Sequence, residues 1–221
     1  MTQSELIQLI AEKIHDSSFT PAMILARVNK GVGRIAGMVD LPDLKSSDTV
    51  ATDTNPYVSV PSDAGNVFHK KKNSLFFVSS AARDGEVNIF ESWIKFLEKW
   101  PTLDEAGDVQ DVIVVGGKLY YQPIPATADT LTLHFFRKPV SMVGTDRDAE
   151  PDGIPDDLQE DLLVSFACWD IFSEKEDEGG GTPETDKYRA RFAGAIAELV
   201  AFAGPKDQRP DYYDHNEDDF I

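Results

Sequence analysis

Apolar residues recur every three or four positions near both ends of this chain and every second position in its middle. Over residues 2–15, Leu6, Ile7, Leu9, Ile10 and Ile14 form a stripe, and Thr2 with Glu5 has capping-box spacing, so a helix is predicted. Thr20-Pro21 opens a second helix, with Thr as N-cap and Pro in the first turn. Its stripe runs Ile24, Leu25, Val28, Val32, Ile35, and it is expected to end near Gly37, before Pro42. Residues 87–100 return to helical spacing through Ile89, Trp93, Phe96, Leu97 and Trp100, and Pro101 stops them. Pro155 begins an amphipathic helix with Leu158, Leu162, Phe166, Trp169 and Phe172 on one face. After the break at Gly179-Gly180-Gly181, Thr182-Pro183 opens a last helix, lined by Tyr188, Phe192, Ile196, Leu199 and Ala203 and closed by Gly204-Pro205.

The middle of the chain reads differently. Ser, Thr, Asp and Asn punctuate short β-prone pieces at 57–60, 67–69 and 75–79. Two apolar runs then flank Gly116-Gly117, the signal of a tight hairpin. A third strand sets Leu131, Leu133 and Phe135 on one side and Thr132 and His134 on the other. The pattern predicts an α+β chain that is mainly helical. A helical bundle is assembled from 1–44, 88–101 and 155–204, with an inserted small antiparallel β-subdomain from 45–87 and 110–140. Residues 141–154 form an acidic loop, and 205–221 an extended C-terminal arm.

Composition narrows the function. With 221 residues and 41% hydrophobic content, the chain can bury a full core. Nothing approaches the ~18 apolar residues of a membrane span, and Met-Thr-Gln-Ser-Glu lacks the basic lead of a signal peptide. A single cysteine, Cys168, precludes an internal disulfide. The net charge of −18 opposes tight binding to a phosphate backbone. It suits either a solvated surface or one that lies beside DNA without adhering to it.

Candidate chemistry is sparse. Gly31-Val-Gly33-Arg-Ile-Ala36, with Asp53 further on, matches a dinucleotide-binding pattern. However, the glycines fall inside a helix rather than between a strand and a helix, so close helix packing is the expected role. Asp148, Glu150, Asp152, Gly153 and Asp156 resemble a degenerate Ca²⁺ loop, but Gln159 stands where a bidentate Glu belongs. These four acids are the one metal candidate, and the alternative is an acidic lead-in to the following helix. His15, His69, His134 and His215 have no zinc spacing, and Cys168 reads as an inert core residue. Lys70-Lys71-Lys72, the one basic cluster, reads as a solvated turn. The arm at 205–221 is acidic yet carries Tyr212, Tyr213 and Phe220, which suits docking into a partner's groove. No catalytic constellation emerges.

The order of motifs resembles the head–tail adaptor, or connector, proteins of tailed bacteriophages. Asn29 sits mid-helix, with Arg34-Ile-Ala36 near the helix end and Leu41-Pro-Asp-Leu44 after it. Tyr57-Val-Ser-Val-Pro61-Ser-Asp63 is similar to that family's Tyr-x-Leu-Pro-x-Asp element. Gly117-Lys-Leu-Tyr-Tyr-Gln-Pro-Ile-Pro125 is similar to its Gly-x-x-Leu-x-x-x-Pro-x-Pro turn, and Leu133-His-Phe-Phe-Arg-Lys-Pro139 to its Leu-x-Tyr-Tyr-x-x-Pro strand. Ile154-Pro155-Asp-Asp and the two closing helices also fit, whereas 144–153 and 64–87 do not align.

The resemblance implies a structural virion protein with no enzymatic activity and no cofactor. It would be assembled in the host cytoplasm into the virion neck, as a homo-oligomeric ring of twelve copies between portal and tail proteins. The ring would line the DNA passage without sequence-specific binding and without a membrane. Arg209, Tyr212, Tyr213 and Phe220 would carry portal contact. A stopper or tail-completion protein distal to the adaptor is the alternative within the virion. A Ca²⁺-dependent binding module is the alternative from another class.

Overall fold

The structure is a computed structural model that describes residues 1–63, 65–69, 71, 74–177 and 183–204. Among these lie five α-helices and eight strands in two sheets, 42% helix and 21% strand. The expectation of a mainly helical bundle with a small β insertion is therefore corrected: this is an α+β fold with two four-stranded sheets. Its contacts divide the chain into two compact units. One is built from Met1–Leu44 and the segment beginning at Lys138, the other from Lys45–Arg137.

In the helical unit, α1 (Gln3–Ile14) starts with a complete capping box, in which Thr2 and Glu5 each satisfy the other's backbone N–H. Helix α2 (Pro21–Met38) starts at the Thr20 cap, as expected. The chain re-enters through a 3₁₀ turn at Asp156–Leu158 and a π turn at Glu160–Val164 before α4 (Ser165–Asp177). Residues 162–168 are all buried, so this segment is the central element of the bundle rather than a one-faced helix. Helix α5 (Pro183–Ala203) packs on it through Tyr188, Phe192, Ala195 and Leu199. Gly31 of α2 meets the ring of Phe166, where an added Cβ would lie 2.7 Å from Cδ1. The predicted close helix packing thus holds at Gly31, while Gly33 faces open space.

The second unit is layered. One sheet has the order β1-β8-β3-β4, where β1 is Lys45–Ala51, β3 Leu75–Ser80, β4 Gly85–Glu86 and β8 Thr130–Phe136. The other has the order β2-β7-β6-β5, where β2 is Tyr57–Ser59, β5 Asn88–Ile89, β6 Asp111–Val115 and β7 Lys118–Gln122. The hairpin β6–β7 turns at Gly116 and Gly117, whose φ angles of 60° and 81° are the left-handed values that a two-residue turn needs and glycine supplies. Leu119, Tyr121 and Val112 of one sheet share a core with Val78, Leu131, Leu133 and Phe135 of the other. Strand β8 therefore belongs to the sheet opposite the hairpin instead of extending it. Helix α3 (Trp93–Lys99) covers the outer face of the hairpin sheet, against Ile113 and Tyr120. The helical spacing read over 87–100 was too long at its start, since residues 88–89 pair in parallel with β6.

Candidate interaction surfaces

The acidic loop does not gather its carboxylates. Asp152 accepts the Val140 N–H at 2.7 Å, and Asp156 accepts the Gln159 side-chain amide at 2.9 Å. The Ala149 and Arg147 carbonyls take the first N–H groups of α1, from Gln3 and Ser4. Gly153 has φ +75°, and a Cβ there would strike Leu44 at 2.7 Å. Asp148, Glu150, Asp152 and Asp156 thus belong to a loop that fastens the N-terminal helix. Among the described residues no three His, Cys, Asp or Glu side chains form a group able to hold a metal ion.

Several other polar groups are engaged structurally, whereas both side-chain amide atoms of the fully buried Gln122 find no hydrogen-bond partner among the described residues. Asp111 is fully buried and accepts from Trp100 Nε1 at 2.9 Å, Asn88 Nδ2 at 3.1 Å and Lys99 Nζ at 2.7 Å. Asp129 accepts the Ser80 hydroxyl at 2.7 Å and the Ala82 N–H at 2.9 Å. Asp53, the acid of the dinucleotide pattern, is held below its ordinary range by the backbone and side-chain N–H groups of Asn55. Cys168 is buried in α4, and burial pushes its thiol up to about 12. Such a thiol is no nucleophile at neutral pH. Asp111, Asp129 and Cys168 are thus buried within the fold, whereas Asp53 is exposed and its carboxylate is capped by Asn55.

The helical unit exposes isolated apolar side chains: Met23, Met38, Val140, Val143, Val200 and Phe202, the last 63% exposed. Between α1, the start of α2 and the turn at 144–147 lies a groove of about 420 Å³, with Ile7, Pro21 and Leu25 in its walls and Arg147 among its lining residues. Arg34 lies over Trp169 at 5.2 Å and Phe166 at 5.8 Å.

The β unit carries a surface that reading by segments missed. On the outer face of the β1-β8-β3-β4 sheet, the Phe76 ring packs at a tilt against Phe136 at 5.2 Å and His134 at 6.3 Å, and Phe77 meets His134 edge-on at 5.4 Å. Lys71 Nζ sits 4.6 Å from the Phe136 ring centre and Lys45 Nζ 6.0 Å from that of Phe76. The lysine run expected to be a solvated turn therefore places at least Lys71 on an aromatic shelf. The signal was Lys70-Lys71-Lys72 followed by Phe76-Phe77, read as two separate features. The proposed portal contacts Arg209, Tyr212, Tyr213 and Phe220 lie outside the described residues, as does His215.

A surface with apolar points and an aromatic shelf suits a structural protein that works by contact. A family model described as SU10 adaptor protein matches residues 1–216, and the chain belongs to that family of phage adaptor proteins. The resemblance to phage head–tail adaptors is thereby upheld. No curated protein sequence matches the chain. As a phage adaptor it is a component of the virion, and none of its described helices is long and apolar enough to cross a membrane.

Proposed function

We propose that this chain is a head–tail adaptor: a ring of twelve copies clamped below the portal, bridging it to tail or neck proteins and surrounding the DNA passage. The observation that carries this reading is the family match, which runs over residues 1–216. The charge of −18 supports it, because a wall of carboxylates repels phosphates and lets DNA pass without sequence-specific contacts. The two units support it as well. Each has its own buried cluster, and each leaves apolar side chains such as Ile94 and Phe202 in solvent, where a neighbour or a partner ring would cover them. The adaptor acts by contact, with no catalytic step and no cofactor.

The acidic, aromatic arm at 205–221 is the portal-binding element in this reading, with Arg209, Tyr212, Tyr213 and Phe220 as its anchors. Deleting 205–221 tests this. The truncated chain is expected to bind a cognate portal ring at least ~10-fold more weakly than the intact chain, as loss of aromatic anchors implies. Undiminished binding would remove the arm from the interface.

A further inference from the structure

We propose that the shelf formed by Phe76, Phe77, His134, Phe136, Lys45 and Lys71 is a docking site for the acidic aromatic arm of this same protein, residues 205–221, from its own or a second copy. The shelf combines the half-buried rings of Phe76, Phe77 and His134 with a buried Phe136, and holds ammonium groups over Phe76 and Phe136. Such a surface takes a ligand with both flat rings and negative charge. Two macromolecules offer that combination: a single nucleic-acid strand and an acidic aromatic peptide.

The chain's composition favours the peptide. A protein with 39 acidic and 21 basic residues repels a polyphosphate over its surface as a whole, so a few lysines do not give it a nucleic-acid groove. The arm, by contrast, holds six acidic residues against Lys206 and Arg209, together with Tyr212, Tyr213 and Phe220. Its net charge is opposite to that of Lys45 and Lys71, the two ammonium groups over the shelf's rings. Electrostatic attraction would hold the arm loosely, and the rings would set its register.

This inference concerns the arm before it meets a portal, so it goes beyond the portal reading and does not depend on it. Docking on the shelf would keep three aromatic side chains from non-specific association until a better partner takes the arm.

The test is zero-length carbodiimide cross-linking of the intact, portal-free protein, read by mass spectrometry. Amide links are expected between Lys45 or Lys71 and the carboxylates of 207–219, and an isotope-mixed sample separates links within one chain from links between copies. Either kind supports the proposal. The links are expected to fall about fivefold when Tyr212, Tyr213 and Phe220 are replaced by Ala, the effect of losing ~1 kcal/mol. These replacements lie outside the described fold and leave its cores intact. Lys118, which lies over Tyr57 at 3.7 Å on the other sheet, is the internal control. Arm links that favour Lys118, or none to Lys45 and Lys71, would overturn the proposal. So would micromolar binding of an oligothymidylate that Lys71→Glu abolishes, because the shelf would then serve nucleic acid. Shelf links that persist after a portal ring is added would count against the arm's portal role and leave this inference standing.

Discussion

Asn29 and Met142 form a reciprocal pair. The Asn29 side-chain amide donates to the Met142 carbonyl at 2.9 Å, and its oxygen accepts the Met142 N–H at 3.0 Å. One side chain thus mimics a strand neighbour and fixes the segment leaving Lys138 onto α2. Met142 is 6% exposed, so water cannot replace both bonds. Asn29→Ala is expected to cost about 2 kcal/mol. Asn29→Asp is expected to cost as much, because a carboxylate cannot donate to the carbonyl. Urea unfolding of both variants checks this, and a loss below about 0.5 kcal/mol in both would show the pair to be incidental.

The two glycines of the apparent dinucleotide motif are expected to behave oppositely. Gly31→Ala drives a Cβ to 2.7 Å from the Phe166 ring, and overpacking of this kind costs about 1–3 kcal/mol. Gly33→Ala meets nothing within 4 Å on an exposed helix face and is expected to stabilise by about 0.5–1 kcal/mol. Thermal melts of the two variants read this directly. Equal effects would mean that the α2–α4 contact is not as tight as described.

Cys168 makes a pH-dependent contribution whose sign is fixed. The folded state holds the thiol protonated up to about 12, whereas an unfolded chain ionises it near 8.5. Above that lower value the unfolded state releases a proton that the folded state keeps, so this stability is full below ~8.5 and is lost as pH rises toward 12. Cys168→Ala removes the term. The stability gap between wild type and variant is therefore expected to narrow by about 2 kcal/mol between pH 8 and pH 10. A gap independent of pH would contradict the burial of the thiol. A disulfide-exchange reagent at pH 8 is expected to label the thiol only after denaturant is added.

The legible parts of the fold were those whose determinants are local. Thr2 with Glu5, Thr20 with Pro21 and Gly116 with Gly117 each specify a cap or turn within four residues, and each formed as expected. Strand β1 was not legible. Its sequence Lys-Ser-Ser-Asp-Thr-Val-Ala has no apolar alternation, because it is an edge strand with no fully buried position. Its pairing with β8 aligns Lys45 with Phe136, 91 residues away, and no local pattern encodes such a register. That hidden strand is one reason why the β portion was underestimated. The aromatic shelf was hidden for the same reason: Lys45, the stretch from Lys71 to Phe76, and Phe136 converge from three separate parts of the chain. The loop acids were legible as a motif, but the contacts of Asp152 with the Val140 N–H and of Asp156 with the Gln159 amide were not.

The most direct test of the adaptor reading is the mass of the complex formed when the intact chain is mixed in excess with the purified portal ring of the same phage. The account predicts a discrete species carrying twelve copies of this chain on one portal ring, formed without Ca²⁺ or any other cofactor. A portal that emerges at its own mass, with this chain unbound, would contradict it.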